Sequence, residues 1–330
     1  MGIFKFFSKI AWLYVILFSL WILLRFLFFD SFWWLALINT VALYIFIPLI
    51  IFLPLALLCR YWRLLFALCF PLGLFIGLYA SLFLPSLSTP ATLNQPIIKA
   101  MTFNMLFNND DYDSIAKMVA ENNPDIIGLQ EVRSQTVPIL IKRFAKDYPY
   151  SAFNPVELSH NVGILSRFPI DKFVTLPAPP IQRGIQITLR LNNGKTIEAI
   201  VAHLTPSYPL NQFFKLADYW YKSRAAEVSY LSNIVKQYDK PVIVMCDCNF
   251  TDTSETYSQM RQVMSDSFHE AGWGFGHTFK GKFFPIGRID YIWHTKEIKT
   301  LKADVGREAG SDHLPVIAKL HLLTLLSLKA

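Results

Sequence analysis

Near its C-terminus the chain reads Gly310-Ser311-Asp312-His313-Leu314-Pro315-Val316, an Asp-His pair running directly into an apolar strand. Upstream lies Arg288-Ile289-Asp290-Tyr291-Ile292-Trp293, where a strand of buried character carries one acid. An imidazole that works in a site needs a carboxylate to set its tautomer and hold its charge. Asp290 and His313 are the candidate pair. A lone Asp-His is more often a turn aspartate beside a core histidine, so the reading rests on what accompanies it.

Working outward, polar residues recur at the C-terminal ends of predicted strands. Asn104 ends MTFN, Glu131 follows IIGLQ, and His203 ends IVAH. Asp247 and Asn249 follow VIVMC, and Asp290, Asp312 and His313 complete the set. Strand ends present side chains from a rigid base. Hard oxygen donors without a thiolate cluster point to Mg²⁺ or Mn²⁺ and away from zinc. Carboxylates to hold a cation and activate water, with imidazoles over phosphoryl oxygens, suit phosphoester hydrolysis.

TFN, LQE, CDCN, RIDY and SDHLP, in this order, resemble the endonuclease/exonuclease/phosphatase superfamily, the DNase I-like enzymes, over residues 97–323. The resemblance implies a four-layer α/β/β/α sandwich and a divalent metal. It implies Glu131 as metal ligand, helped by Asn104 and Asp312. Asp247 would orient or deprotonate the attacking water. Asn249 and His203 would hold phosphoryl oxygens, and His313, paired with Asp290, would stabilise the pentacovalent phosphorus. Two departures stand out. Cys246 and Cys248 replace the Gly and Phe of the family's Gly-Asp-Phe-Asn, and no tyrosine precedes Val162-Gly163-Ile164-Leu165-Ser166. The second argues against abasic-site repair.

The remainder of the chain supplies context. It has 330 residues, 53% of them hydrophobic and 17% charged, with mean hydropathy +0.34. Residues 1–90 hold five Lys/Arg and one acid, so the net charge of +7 divides into +4 there and +3 on the rest. No basic run tracks a nucleic-acid backbone. Three apolar stretches, Ile10–Phe29, Phe32–Cys59 and Leu64–Leu84, are each long enough to cross a bilayer. Pro48 and Pro54 are expected to kink the second. The expected plan is a three-helix membrane anchor over 1–84, a Pro/Ser/Thr-rich linker over 85–96, and a catalytic domain over 97–330.

Lys5, Lys9, Arg60 and Arg63 flank these stretches. The positive-inside rule puts them in the cytoplasm, and three crossings then put the domain outside an inner (cytoplasmic) membrane. The layout resembles the membrane-anchored VanJ-type subgroup, which implies a lipid-linked phosphate, pyrophosphate or phosphodiester substrate. An anchored extracytoplasmic nuclease is the alternative. Phe213, Phe214, Tyr219, Trp220 and Tyr221 either lean on lipid, with Lys215 and Lys222 near headgroups, or pack a helix on the sheet. Phe283-Phe284 is a second candidate lip. Cys246 and Cys248 are expected to be small buried residues, because a strand would hold their Cα atoms roughly 6.5 Å apart and a disulfide would be strained.

Overall fold

A computed structural model describes residues 2–84, 96–154, 161–206, 210–281, 285 and 287–323. The predicted linker, except for Pro96, and the Phe283-Phe284 lip lie outside the described residues. The chain divides into two compact units, one containing Met1–Leu84 and the other the α/β body.

The first unit is helical: α1 (Gly2–Phe28), α2 (Trp33–Thr40), α3 (Ala42–Ile45), α4 (Leu49–Leu58) and α5 (Trp62–Tyr79). Phe6–Phe28 and Trp62–Phe83 are long and apolar enough to cross a membrane. The middle stretch departs from the expected single kinked span. It bends by 73° between Thr40 and Ala42, so among the described residues the helices able to cross number two, or three if the bent pair counts as one. The bend falls ahead of both prolines. It follows Asn39, which is fully buried and donates to the Phe29 carbonyl and the Asp30 carboxylate while accepting from Trp21 Nε1. Pro54 sits inside α4 without ending it.

Among the described residues the second unit holds twelve strands: β1 (Ile97–Asn104), β2 (Ile126–Val132), β3 (Tyr150–Phe153), β4 (Asn161–Ser166), β5 (Ile170–Thr175), β6 (Gly184–Arg190), β7 (Thr196–His203), β8 (Val242–Asp247), β9 (Ser265–Asp266), β10 (Asp290–His294), β11 (Ile298–Val305) and β12 (Val316–Leu322). Its helices are α6 (Tyr112–Asn122), α7 (Val137–Phe144), α8 (Leu210–Lys236), α9 (Glu255–Arg261) and α10 (Ser267–Ala271). One sheet runs β11-β12-β1-β2-β4-β3 and the other β5-β6-β7-β8-β10-β9. In each, a parallel pair joined through a helix lies at the centre, β1-α6-β2 in one and β7-α8-β8 in the other.

Side-chain alternation builds the layers. Ile98, Ala100, Ile126 and Ile164 of the first sheet share one apolar core with Ile187, Ala199, Val201, Ile243, Met245 and Ile292 of the second. The intervening residues face outward. Met101, Phe103, Ile127 and Leu129 pack on α6 and α7, and Ile200, Val244 and Trp293 pack on α8 and α9. The result is a two-sheet sandwich with helices on both outer faces. The sheets approach closely at Gly128, where a Cβ would stand 2.8 Å from Met245 Cβ.

Local chemistry sets the connections. Asp111 caps α6 by accepting from the Ser114 amide, and Asn123 ends it in the left-handed region at φ 45°. Asn192-Asn193-Gly194 turns β6 into β7, with Gly194 at φ 79°. Strands β3 and β5 carry little signal in the sequence: Tyr150–Phe153 is too short to show a period, and β5 is exposed on both faces beyond Ile170.

Candidate active site

Three site residues stand side by side because of strand register. His203 pairs with Asp247 in the parallel β7–β8 ladder, and Asp247 pairs with Asp290 in the antiparallel β8–β10 ladder. Alternation then points all three toward the first sheet, since Val201, Met245 and Ile292, each two residues away, lie in the inter-sheet core. His203 Nε2 is 3.5 Å from Asp247 Oδ2. All three side chains are almost wholly buried.

The first sheet delivers its groups differently. Asn104 ends β1 and pairs with Gln130. Gln130 already faces the other sheet, so strict alternation would turn Glu131 outward. Instead the β2–β4 register shifts between Leu129 and Val132, and Glu131 takes φ 57°. This bulge re-aims the carboxylate inward. Leu106 and Asn249, also beside the site, hold φ 63° and 53°. Positive φ is costly for residues with side chains and clusters where geometry is demanded by function.

Hydrogen bonds tie the halves together. Asn104 Nδ2 donates to Asp247 Oδ2 at 2.7 Å and to Glu131 Oε1 at 3.1 Å, while its Oδ1 accepts from the Leu106 amide. The Leu106 N–H requires an acceptor, which settles which end of the amide is oxygen. Asn104 therefore presents a donor to the two carboxylates, while its oxygen, turned to the Leu106 amide, keeps one lone pair. The Phe107 amide donates to Glu131 Oε2 at 3.0 Å.

His313 enters from the loop before β12. Its Nδ1 lies 2.9 Å from Asp290 Oδ2 and its Nε2 3.9 Å from Asp247 Oδ2. Burial alone would lower its pKa, but Asp290 and then Asp247 outweigh that and raise it to about 10. The ring is thus an imidazolium at neutral pH, with Phe279 packed on its face at a centroid distance of 4.9 Å. For Asp247, burial first and then the Asp290 charge push the carboxyl up to about 7, against the opposing effects of His313 and Asn104. Asn249 donates from Nδ2 to the Leu204 carbonyl, and its amide donates to Asp247 Oδ1.

Asp312 is not brought in. Its side chain is exposed, and it belongs to neither group of gathered ligand atoms, Glu131–His203–Asp247 or Asp247–Asp290–His313. Its neighbours are spoken for: Ser311 Oγ donates to the Asn104 carbonyl and accepts from the His313 amide, so the loop turns Asp312 outward between two anchored residues. The donor set nevertheless suits a hard cation. Two carboxylates converge in a buried setting that raises the pKa of one of them, a burden that a divalent ion relieves.

Several supporting residues carry no signal in the sequence. Arg183 Nη1 lies 3.1 Å from His203 Nδ1. On α8, Arg224 donates to the Thr205 carbonyl and Glu227 accepts from the Thr205 amide, clamping the loop just after His203. Burial pushes Glu227 up to about 7, although Thr205, Arg224 and Arg183 all act to lower it. Thr278 Oγ1 accepts from the Ile289 and Asp290 amides.

Cys246 and Cys248 are buried as expected, but the expectation of no disulfide is corrected. Cys246 and Cys248 form a disulfide across Asp247, with Cα atoms 5.1 Å apart. Strand β8 ends at Asp247, so Cys248 is outside the extended geometry on which the larger separation depended. Of the aromatic segment, Trp220 is buried, Tyr219 is 56% exposed, and Tyr221 lies under the Arg224 guanidinium. Burial of Trp220 accords with helix packing and exposure of Tyr219 does not, so the segment divides between the two expectations, and the side chains of Phe213 and Phe214 lie outside those described.

Fold and site together define a two-sheet sandwich with a carboxylate–imidazole centre at the ends of its central strands. The chain belongs to the endonuclease/exonuclease/phosphatase family, whose profile matches residues 101–313. Members of this family are hydrolases acting on phosphoester bonds. Among solved structures, it is similar to an endonuclease/exonuclease/phosphatase from Bacteroides vulgatus, at 17% identity over 69% of this chain and 100% of that one, with TM-score 0.57. It is also similar to a mannosyl-6-phosphatase from Bacteroides thetaiotaomicron, at 17% identity over 68% and 99%, with TM-score 0.54. A third is the human Nocturnin catalytic domain with bound sulfate, at 17% over 69% and 94%, with TM-score 0.53. At such identities the likeness establishes the fold alone. No curated protein matches the chain.

Proposed function

We propose that this protein is a membrane-anchored, divalent-metal-dependent phosphohydrolase that cleaves a lipid-linked phosphate, pyrophosphate or phosphodiester outside the cytoplasm. The observation that carries the chemistry is the row His203–Asp247–Asp290 in register, with His313 completing it through Asp290. Glu131, with Asp247 beside it, would hold Mg²⁺ or Mn²⁺, which when bound supplies charge neutralisation at the phosphoryl group. Asp247 takes the proton of the attacking water. His313 donates from Nε2 to a phosphoryl oxygen, its charge kept by Asp290. Asn249 and His203 hold the other oxygens.

The substrate class rests on the apolar helices. A site tethered to a bilayer meets lipid substrates at raised effective concentration. Orientation depends on the bent pair α2–α4. If it crosses the membrane, Arg60 and Arg63 share a side with Lys5 and Lys9, and the α/β unit is outside. If it re-enters, those arginines face outward, against the positive-inside rule. The Cys246–Cys248 disulfide accords with an oxidising compartment.

The test is hydrolysis by full-length protein in detergent, with Mg²⁺ or EDTA, and His313→Ala as control. The panel holds a polyprenyl pyrophosphate, sphingomyelin, a phosphoinositide and plasmid DNA. Metal-dependent release from a lipid supports the reading. Cutting of DNA alone overturns it in favour of an anchored nuclease.

A further inference from the structure

The two histidines of the site have opposite partners. His313 Nδ1 faces a carboxylate, Asp290, at 2.9 Å, whereas His203 Nδ1 faces a guanidinium, Arg183, at 3.1 Å. A guanidinium has five N–H groups and no acceptor. Whatever hydrogen-bonds to it must offer a lone pair. His203 Nδ1 is therefore the unprotonated nitrogen, and the ring proton sits on Nε2. The surroundings of Nε2 agree, since Asp247 Oδ2 at 3.5 Å and Glu131 Oε1 at 3.9 Å are both acceptors.

We propose that Arg183 is a positioning residue that holds His203 in the Nε2–H tautomer, making it a hydrogen-bond donor in the site and barring it from ligating metal. The backbone sets up this contact. The His203 amide donates to the Arg183 carbonyl at 2.9 Å, which continues the β6–β7 ladder one step past Gly184–Ala202. Arg183 is thus opposite His203 by register.

The consequence is chemical selectivity. With the Nδ1 lone pair engaged by Arg183 and a proton on Nε2, His203 has no lone pair for a cation. Of the three converging residues Glu131, His203 and Asp247, only the carboxylates can ligate. An all-oxygen set favours Mg²⁺ or Mn²⁺, whereas an available imidazole nitrogen would invite zinc. Arg183 thereby helps exclude the wrong metal while aiming a neutral donor at the substrate. The donor role rests on the phosphohydrolase reading. The tautomer and the metal preference do not.

The experiment uses full-length protein in detergent with ¹⁵N-labelled histidine, the His203 resonances being assigned by their loss in His203→Gln. Wild type and Arg183→Lys, which keeps a donor-only cation, should show an unprotonated Nδ1. Arg183→Glu, which offers only an acceptor, should move the proton to Nδ1 and free Nε2. Calorimetry should then show zinc binding at least tenfold tighter in Arg183→Glu than in wild type, with Mg²⁺ binding little changed. With bis-p-nitrophenyl phosphate as probe, Arg183→Met should lower kcat about tenfold with KM nearly constant, and Arg183→Lys should recover most of it. A protonated Nδ1 in wild type overturns the proposal, as does an Arg183→Glu protein that keeps both tautomer and metal preference. Absence of hydrolysis of bis-p-nitrophenyl phosphate, p-nitrophenyl phosphate and a polyprenyl pyrophosphate in every variant, with the tautomers as expected, would overturn the phosphohydrolase reading and leave the tautomer assignment supported.

Discussion

The two sheets share one plan but deliver their chemistry by different means. Each centres on a parallel pair joined through a helix, with site residues at the C-terminal ends of that pair. In the second sheet regularity does the placing: His203, Asp247 and Asp290 are adjacent rungs on one face. In the first sheet irregularity does it. Glu131 reaches the site only through a bulge and a left-handed backbone, and Asn104 only bridges what the others bring. A regular ladder sets side-chain positions cheaply, but it places one residue per strand on each face. A bulge adds one more group where the ladder has none to give.

The comparison can be broken at its strongest point first. Asp247→Asn keeps the shape but removes the base and one of the two acceptors that Asn104 and the Asn249 amide use, and should cut kcat by about 10³-fold, read by steady-state hydrolysis with circular dichroism to check the fold. Glu131→Gln should instead raise the Mg²⁺ concentration for half-maximal rate by about 10–100-fold, comparable to or above the usual effect of losing a supporting partner. Unchanged metal affinity by calorimetry would show that the bulge serves something other than the cation. If it proves so, the contrast between the sheets loses its functional meaning.

The third test concerns the His313 corner. Its pKa in the fold, about 10, exceeds the ordinary value of 6.5. Its contribution to stability is therefore complete below 6.5 and lost as pH rises through 10. Asp290→Asn should remove that alkaline loss and move the alkaline limb of the rate profile toward neutrality. A profile identical to wild type would contradict the pairing.

Smaller effects probe the scaffold. Gly128→Val places carbon where Met245 already stands and should cost about 1–3 kcal/mol by urea denaturation. Glu227→Gln keeps the Thr205 contact and removes a buried charge. Because the Glu227 pKa is raised from 4.5 to about 7, its stabilising share is present below 4.5 and lost as pH climbs through 7. The variant should flatten the decline in melting temperature across that window.

Much of the site was legible in the sequence because chemistry-bearing residues at strand ends are scarce outside active sites. His203 and Asp247 end apolar runs, Asp290 and His313 precede them, and in β7, β8 and β10 the alternation already faces the site residue inward. Asp312 was misread since adjacency in sequence says nothing about which of two neighbours a loop turns inward. The Cys246–Cys248 bond was missed because the exact end of β8 sets their separation. Strand ends depend on the neighbouring strands, not on the residues themselves.

By itself, the sequence determined the apolar helical segment, the alternation of strands and helices after it, and the set of acids, amides and imidazoles available for chemistry. Those follow from local periodicity and side-chain type. Only the tertiary structure decided that β7, β8 and β10 lie adjacent, that Glu131 turns inward through a bulge, and that Arg183 faces His203 while Asp290 faces His313. Hydrogen-bond register and sheet order arise from contacts between residues far apart in the chain. No window of sequence holds both partners of such a contact.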